Sequence, residues 1–267
     1  MTLDMTRGNE NLRQTVINEV RAMRYIQNYS NKIQNLNHVS VPRDVLIEAG
    51  LNPCHLWMVI PYHGSEFPYQ VIDREGSVRP WTEHEARELF RGILSAMEEM
   101  QQMRLSHHDV SAENLILDSQ RCVMIDFATN IRLPYNNDQR LLVKYTQLVG
   151  KCRYIAPEML EGFHKRSLYD GFAVDLWACA IILFRLTAGC LPFELPRNTD
   201  QNFRELTSND PDTFTSAFNR IRQNADNPLP TPSPQLMDLL QRMMAYDPTE
   251  RLSLRQIRNH AWMTMQL

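Results

Sequence analysis

Apolar residues recur every three or four positions over residues 10–28, with polar residues between them. This spacing places the apolar side chains on one face and predicts an amphipathic helix. Two short apolar runs follow at residues 44–49 and 55–60, separated by residues typical of turns. The chain is therefore predicted to begin with a helix and a pair of strands, and residues 61–68 to form a connector.

A long helix that faces a core is predicted next. Thr82 and Glu85 match the capping box with which many helices begin, and the apolar residues behind them keep helical spacing as far as Met100. Residues 114–118 and 122–126 are brief apolar runs around a three-residue connection. Such a pair indicates two strands joined as a hairpin.

The last third of the chain is predicted to be mainly helical. Residues 174–186 are apolar on every side, which is typical of a helix buried all round. Residues 195–234 are polar and contain many prolines, so we expect an exposed irregular segment there. Two final helices are expected, one over residues 235–245 and one from Ser253, where Ser253 and Gln256 match a second capping box.

Composition narrows the class of protein. The 267 residues include 28 basic and 31 acidic side chains, and this balance argues against binding to nucleic acid or a membrane surface through bulk charge. Five cysteines without a CxxC pair indicate a reduced protein. The longest apolar run is shorter than the roughly 20 residues that span a bilayer. We therefore expect an intracellular, cytoplasmic protein without nucleic-acid or membrane partners, and the sequence sets no oligomeric state.

The candidate chemistry lies in one polar motif and the segment after it. Asp109 precedes Asn114 by five residues, and Asp126 follows Asn114 by twelve. An isolated Asp or Asn on a loop usually caps a turn. This spacing around a hairpin, however, brings one carboxylate to a nucleophile, and an amide with a second carboxylate to a divalent metal. Residues 127–158 show no sustained periodicity, and a loop of that length is usually functional.

With these motifs the chain resembles a eukaryotic protein kinase of the serine/threonine type. Five motifs occur in the order and at the spacing of that family. They are similar to the catalytic loop (His107–Asn114), the metal-binding DFG motif (Asp126–Ala128), the end of the activation segment (Ala156–Glu158), the start of the buried central helix (Asp175–Trp177) and the late DPxxR signature (Asp247–Arg251).

The resemblance implies an α+β, two-lobed, protein-kinase-like fold. A partial, β-rich small lobe with one helix is expected over residues 1–61. A mainly helical large lobe, with the catalytic loop and activation segment, is expected over residues 62–267. The two lobes form one kinase domain over about residues 10–263.

The resemblance also implies catalytic and ATP-binding roles. Asp109 orients the substrate hydroxyl and accepts its proton, and Asn114 and Asp126 hold Mg²⁺ against the phosphates of ATP. Ile60 stands at the gatekeeper position, and residues 61–63 form the hinge that meets adenine. The residues assigned to ATP are Glu19, Ile60, Tyr62, His63, Glu66, Glu113, Asn114 and Asp126.

Further residues are assigned structural or substrate-binding roles by the same resemblance. Glu158 and Arg251 form an ion pair, and Asp175 braces the backbone of the catalytic loop. His107 and Phe127 are expected to pack rather than to react. The partner is a protein substrate. Glu66 and Glu113 occupy positions that contact ribose or substrate arginines in the family, which favours basic residues around the acceptor. The alternative is that Glu66 and Glu113 are solvated surface residues.

The small lobe departs from the family. Protein kinases cover the phosphates with a glycine-rich loop and contact them with a strand lysine, which pairs with a glutamate of the first helix. Glu19 is the candidate for that glutamate, but no lysine precedes Lys32, and Arg7 is the only cation in the expected window. Two alternatives remain open: the first strands are missing through truncation, or the chain is a pseudokinase with weak transfer.

The active site departs from the family as well. Ser111 replaces the lysine of the catalytic loop, and Lys151 replaces a threonine of the activation segment. In the family this lysine and this threonine touch each other beside the catalytic Asp, so here the two groups have changed places. We expect Lys151 to reach Asp109 and the transferred phosphate, which makes Asp109, Ser111 and Lys151 the catalytic set. The alternative is a solvated lysine on a loop.

Two further replacements bear on regulation. His108 replaces the arginine that receives an activation-loop phosphate in many kinases, and a mostly neutral imidazole contributes little to binding a phosphate. Phosphorylation of Tyr145 or Thr146 is therefore not expected to be a strict switch. Ala128 replaces the glycine of DFG, which should disfavour large movements of Phe127.

The sequence therefore predicts a protein kinase that transfers the γ-phosphate of ATP, with Mg²⁺, to Ser or Thr hydroxyls of proteins. The absent small-lobe lysine favours an alternative, a pseudokinase or interaction scaffold. Small-molecule phosphotransferases share the catalytic-loop pattern but lack the APE and DPxxR elements, and they are a distant third.

Overall fold

The structure, a computed structural model, describes residues 10–32, 36–48, 55–68, 71–72, 78–79, 81–118, 121–144, 148–165, 167–223 and 231–265. Within these ranges the helices are α1 (Glu10–Ser30), α2 (Glu83–Gln102), α3 (Pro157–Lys165), α4 (Gly171–Ala188), α5 (Gln201–Leu206), α6 (Pro211–Arg222), α7 (Pro234–Met243), α8 (Leu254–Arg258) and α9 (Ala261–Thr264). The strands are β1 (Asp44–Glu48), β2 (His55–Val59), β3 (Ser65–Glu66), β4 (Val71–Ile72), β5 (Val78–Arg79), β6 (Leu105–Ser106), β7 (Leu115–Asp118), β8 (Arg121–Met124), β9 (Ile131–Arg132), β10 (Tyr135–Asn136), β11 (Gln139–Arg140), β12 (Val143–Lys144) and β13 (Leu168–Tyr169).

The amino-terminal elements are those that the apolar spacing predicts. α1 buries Ile26 completely and ends at Ser30, a little beyond the predicted end. β1 and β2 pair antiparallel, with Leu46 opposite Trp57. Both of these side chains are about half exposed, at 50% and 47%. This hairpin therefore leaves part of its apolar surface uncovered by the described residues.

A polar joint attaches the segment before β1 to the rest of the fold. The carboxylate of Glu99, on α2, accepts hydrogen bonds from the backbone nitrogens of Asn37 (2.8 Å) and His38 (2.9 Å). Beside it, the Ser40 backbone nitrogen donates to the Met124 carbonyl (2.9 Å), and the Met124 backbone nitrogen donates to the His38 carbonyl (2.8 Å). These bonds place the segment alongside β8, the strand that leads into the DFG-like motif.

α4 is the central helix of the core. It begins where the Asp170 carboxylate accepts a hydrogen bond from the Phe172 backbone nitrogen (2.9 Å), and it ends at Gly189, which has a φ of 77°. α4 is long and apolar enough to cross a membrane, but 89% of it is buried inside the fold. The uniform apolarity of α4 therefore fits a core helix.

The prediction for residues 195–234 is wrong, because two helices lie within them. Asp200 and Asp210 cap α5 and α6, and Pro211 occupies the first turn of α6, where a proline costs no hydrogen bond. The number of prolines favoured an irregular segment because a proline at the start of a helix was not considered. The apolar residues of the two helices follow helical spacing and are buried: Phe203, Leu206, Phe214, Ala217, Phe218 and Ile221.

Most other predicted elements are confirmed, with small shifts at their ends. The capping boxes of Thr82 with Glu85 and of Ser253 with Gln256 are both present. β7 and β8 form the predicted hairpin. Residues 127–158 are not entirely irregular, because they contain β9 to β12 and the start of α3. The elements together form the predicted α+β fold, whereas the proposed lobe boundary at residues 61 and 62 stays a prediction.

The ion pair between Glu158 and Arg251 ties the end of the activation segment to the carboxyl-terminal helices. The two guanidinium nitrogens of Arg251 lie 2.7 and 3.0 Å from the two carboxylate oxygens of Glu158. The same guanidinium donates to the Ala173 carbonyl (2.9 Å) and lies 4.9 Å from the centre of the Trp177 ring. The Arg251 side chain is only 1% exposed, so water cannot replace these contacts.

Replacing Arg251 with alanine should lower the free energy of unfolding by about 3–5 kcal/mol, because the Glu158 carboxylate, whose side chain is only 13% exposed, would lose its partner. Urea unfolding followed by circular dichroism measures this loss. The control is Arg220→Ala, which removes an exposed ion pair with Glu205 and should cost less than about 1 kcal/mol. Equal losses in the two variants would contradict the structural role of Glu158–Arg251.

Candidate active site

The catalytic-loop motif begins after β6, and a buried carboxylate holds its backbone. Asp175, on α4, accepts hydrogen bonds from the backbone nitrogens of His107 (2.7 Å) and His108 (2.9 Å) and from the Ser106 hydroxyl (2.8 Å). Burial raises the pKa of Asp175 to about 7, and these three hydrogen bonds act in the opposite direction. The contacts support the bracing role expected of Asp175.

His107 is a buried, neutral packing residue. Its Nε2 lies 3.0 Å from the Ile125 carbonyl, and the backbone nitrogen of Asp109 lies 3.3 Å from its Nδ1. A neutral ring with its proton on Nε2 satisfies both contacts, and burial lowers the pKa of His107. The ring centre is 5.4 Å from that of Phe127, so the two residues pack together as expected.

His108 is also buried, and its backbone is left-handed. It has a φ of 63°, which is uncommon for a residue other than glycine, and its ring contacts Tyr169 edge to face at 5.5 Å. Burial lowers the pKa of His108 to about 3, so the ring is uncharged at neutral pH. The predicted phosphorylation sites, Tyr145 and Thr146, lie outside the described residues, and that prediction stays untested.

The Asp109 carboxylate receives hydrogen bonds from two sides. Lys151 donates to it with its backbone nitrogen (3.0 Å) and with Nζ (3.3 Å), and the Asn114 amide nitrogen donates at 3.0 Å. Lys151 Nζ lies 2.7 Å from the Ser111 hydroxyl oxygen. The structure thus brings Asp109 and Asn114, which match the family, into contact with Ser111 and Lys151, which depart from it.

Gly150 allows the activation segment to approach the catalytic loop this closely. Its φ is +90°, and a Cβ at this position would lie 2.6 Å from the His108 carbonyl oxygen. No other amino acid fits there without moving the backbone. The glycine therefore determines where Lys151, its neighbour, is placed.

The oxygen ligands that remain suit a magnesium ion shared with phosphates. The Asn114 amide nitrogen is bonded to Asp109, which directs the amide oxygen to other partners. Asp126, with a φ of 63°, accepts one long bond from the Ala128 backbone nitrogen (3.3 Å). Across the described part of the chain, no group of three or more His, Cys, Asp or Glu residues could hold a metal. Mg²⁺ commonly takes one or two protein carboxylates plus substrate phosphates, so these residues fit it.

Glu19 faces Asp126 from α1. Burial, and then the nearby negative charge of Asp126, raise the pKa of Glu19 to about 7. Both effects act in the same direction, and no cation among the described residues offsets them. Arg7, the cation expected in this window, lies outside those residues.

The predicted gatekeeper, Ile60, and the predicted hinge residues Tyr62 and His63 lie after β2 and differ in exposure. The Ile60 side chain is 46% exposed and that of Tyr62 is 90% exposed, so neither packs in the core. His63 is half-buried, its Nε2 lies 2.9 Å from the Ser40 hydroxyl, and burial lowers its pKa. No hydrogen bond in the described part of the chain joins Ile60 or Tyr62 to the catalytic loop.

The two candidate glutamates lie on either side of β7. Glu66, in β3, is opposite Ile116, and the Phe67 backbone nitrogen donates to the Leu115 carbonyl (3.3 Å). Glu113 is exposed in the 3₁₀ turn that ends at Asn114. Pairing with β7 thus brings Glu66 to the strand that directly follows Asn114.

Comparison with known families agrees with this geometry. A model of the protein kinase domain family matches residues 2–263, nearly the whole chain. The chain belongs to the protein kinase domain family. The predicted kinase-like fold class is therefore confirmed for this chain, and the kinase domain covers the five motifs.

Curated relatives of this kinase domain are serine/threonine-protein kinases. SRK2E of Arabidopsis thaliana is 29% identical over 264 residues, which covers 94% of this chain and 66% of the relative. SAPK7 of Oryza sativa subsp. japonica is 29% identical over 265 residues, with 93% and 66% covered. SRK2J of Arabidopsis thaliana is 29% identical over 284 residues, with 100% and 76% covered. This chain spans 66% of the length of the first two relatives.

Two residues that position the site were missed by sequence reasoning. Ser106 shares the Asp175 carboxylate with the loop backbone, and its hydroxyl oxygen also lies 2.7 Å from the Gly171 carbonyl oxygen. Nothing in the sequence distinguishes this serine. Glu99 holds the segment that runs beside β8. Its position among the apolar residues of α2 was the sequence feature that could have indicated a buried carboxylate.

Replacing His108 with asparagine, which tolerates a positive φ, should remove the loss of stability that a buried neutral histidine causes as the pH falls. Between about pH 6.5 and 3 the unfolded chain binds a proton at this residue that the folded kinase domain does not. The contribution of His108 to the free energy of unfolding therefore decreases as the pH falls, by up to about 1.4 kcal/mol per pH unit, whereas the raised pKa values of Asp175 and Glu19 act in the opposite direction. Urea midpoints between about pH 5 and 6.5 measure the slope.

The control for this measurement is His84→Asn, at an exposed position on α2. On lowering the pH, the free energy of unfolding should decrease less, or increase more, in His108→Asn than in His84→Asn. If both variants keep the wild-type slope, His108 is not buried as a neutral ring.

Proposed function

We propose that this kinase domain transfers the γ-phosphoryl group of ATP to Ser or Thr hydroxyl groups of protein substrates. The observation that carries the proposal is the Asp109 carboxylate, which Lys151 and Asn114 hold at 3.0–3.3 Å. A fixed carboxylate beside an amide and a second carboxylate is the arrangement that phosphoryl transfer needs. The names of the relatives support the same substrate class.

Each residue of the site has one proposed task. Asp109 accepts the hydrogen bond of the substrate hydroxyl and takes its proton as transfer proceeds. Asn114 and Asp126 provide the oxygen ligands for Mg²⁺. When bound, Mg·ATP supplies the phosphoryl group and neutralises part of its charge. Catalysis then depends mainly on how rigidly these side chains are held.

Lys151 is proposed to supply positive charge from the activation segment. Ser111 leaves the catalytic loop without a cation, and the Lys151 ammonium occupies the space beside it, 2.7 Å from the Ser111 oxygen. Its side chain is 38% exposed, so part of it is accessible from solvent. The salt bridge with Asp109 orients Lys151. We propose that the ammonium also contacts the transferred phosphate.

The remaining proposals concern the adenine contacts, the substrate preference and the location of the protein. We assign the gatekeeper position to Ile60, the hinge to residues 61–63, and Glu19 to the phosphate side of the site. Glu66 and Glu113 favour basic residues near the acceptor. An intracellular location agrees with the five cysteines, which form no CxxC pair.

Replacing Asp109 with asparagine keeps the shape of the side chain but removes its charge and its ability to accept a proton. The rate constant kcat for phosphate transfer from Mg·ATP to a serine peptide should fall by at least about 10²-fold. The control is Asp118→Asn, at a partly exposed carboxylate that pairs with Arg121 at the end of β7. A wild-type chain without measurable transfer would contradict the proposal and favour the scaffold alternative.

Replacing Lys151 with threonine should lower kcat by about 10²- to 10³-fold, because a charge beside the reacting phosphate is lost. Combining it with Ser111→Lys returns an ammonium from the opposite side and should restore most of the rate. Lys144→Thr, in β12, is the control. Unchanged activity of Lys151→Thr, when Asp109→Asn abolishes transfer, would show that Lys151 has no catalytic role.

A further inference from the structure

The activation segment contains a tight hairpin that is attached to the rest of the fold through both of its strands. β10 and β11 pair antiparallel, and Tyr135 lies directly opposite Arg140. The Leu141 backbone nitrogen donates to the Pro134 carbonyl (2.9 Å), which extends the pairing by one residue on each side. We call residues 134–141 the anchored hairpin.

Arg140 attaches the anchored hairpin to the first turn of α4. Its guanidinium forms an ion pair with one oxygen of the Asp170 carboxylate, whose other oxygen accepts the hydrogen bond from the Phe172 backbone nitrogen that caps α4 (2.9 Å). The guanidinium also lies 4.6 Å from the centre of the Phe172 ring, and Phe172 is only 3% exposed. A cation that rests on a buried ring as well as on a carboxylate is held more firmly than one in an exposed ion pair.

Tyr135 attaches the other strand of the hairpin to the chain that leads into the catalytic loop. The Arg104 guanidinium lies 4.3 Å from the centre of the Tyr135 ring, and the Leu133 backbone nitrogen donates to the Arg104 carbonyl (2.8 Å). Arg104 precedes Asp109 by five residues, just as Asp170 precedes Asp175. The hairpin therefore contacts both the approach to the catalytic loop and the approach to the carboxylate that braces this loop.

The chain after the hairpin stays close to the active site. β12 pairs with β13, which places Val143 opposite Tyr169, and the Tyr169 ring contacts the His108 ring at 5.5 Å. Val143 also packs against the hydrophobic core. The strand that follows the anchored hairpin is thus joined, through one aromatic ring, to the residue before Asp109.

The segment then reaches Asp109 through its own backbone. Val149 packs against the core, and two residues later the Lys151 backbone nitrogen donates to the Asp109 carboxylate (3.0 Å). A backbone donor cannot be redirected by rotation of a side chain. This hydrogen bond is therefore kept only while the activation segment holds its path.

The groups that hold the hairpin are encoded in the chain and need no phosphate. The His108 ring, which replaces the arginine that receives a phosphate in many kinases, is uncharged at neutral pH because burial lowers its pKa to about 3. Arg140 and Asp170 provide an ion pair for the activation segment instead.

We propose that Tyr135 and Arg140 are positioning residues for phosphoryl transfer, which fix the activation segment and so keep Lys151 against Asp109 without phosphorylation of the segment. Neither residue touches the reacting atoms. The inference rests on the proposed kinase activity for its effect on the rate. Its effect on the position of Lys151 can be measured without any substrate.

The test is amide hydrogen exchange of the full chain, measured by NMR after phosphatase treatment and without ATP. The Lys151 amide should exchange slowly in the wild type, because it is bonded to Asp109. Arg140→Met removes the cation but keeps a long side chain, and it should accelerate this exchange about tenfold, whereas Arg140→Lys should keep most of the protection. The Met124 amide, bonded to the His38 carbonyl elsewhere in the fold, is the internal reference for global unfolding.

The matched control is Arg220→Met, which removes an ion pair of similar exposure, with Glu205, away from the hairpin. It should leave the Lys151 amide unchanged. Equal exchange in the wild type and Arg140→Met, or in the two methionine variants, would overturn the proposal, and so would protection that phosphatase treatment abolishes. Tyr135→Leu should also accelerate exchange, and an unchanged rate would overturn the role of Tyr135.

Kinetics separates this inference from the proposed function. Arg140→Met should lower kcat for transfer to a serine peptide about tenfold and leave the KM for ATP similar, and Arg140→Lys should restore most of kcat. Faster exchange at Lys151 with an unchanged kcat would leave the function intact and overturn the positioning role. Faster exchange in a chain whose wild type transfers no phosphate would contradict the proposed function alone.

Discussion

Three hydrogen bonds converge on the buried carboxylate of Asp175, and the rest of the active site depends on them. They fix the backbone of His107 and His108, and His108 is held at a φ of 63°, which costs about 1–3 kcal/mol in an unconstrained chain. Asp175 itself is supplied by α4, the most deeply buried helix of those described. The packing of α4 in the core thus stabilises the strained backbone at His108, and Asp109 is the next residue in the chain.

Asp109 in turn connects two parts of the chain that the sequence separates widely. Asn114 approaches from the catalytic loop, and Lys151 approaches from the activation segment with both its backbone and its side chain. Gly150 makes the second approach possible, because it leaves no Cβ against the His108 carbonyl. The exchange of hydroxyl and ammonium between Ser111 and Lys151 keeps the two groups in contact, although each now comes from the other segment.

The sequence predicted the elements whose signals are local. Helical spacing and capping boxes identified α1, α2 and α8, and motif order identified the fold class. The prediction failed at α5 and α6, because prolines were read as breakers although Pro211 occupies a first helical turn. Contacts that join distant segments, such as those of Glu99 and Ser106, have no periodicity and could not be found. The bond between Lys151 and Asp109 was foreseeable only because family resemblance placed both residues beside one reaction centre.

Charge is the remaining constraint on how this kinase domain holds phosphates. Asp109, Asp126 and Glu19 bring three carboxyl groups to one region, and Glu19, with a pKa of about 7, is only partly ionised at neutral pH. Within the described residues, Lys151 is the cation bonded to these groups. Its ammonium belongs to the activation segment, so displacement of that segment would remove both the positive charge and the backbone donor from Asp109. The positive charge beside Asp109 and the position of the activation segment are therefore coupled through Gly150 and Lys151, because the glycine sets the path that the lysine follows.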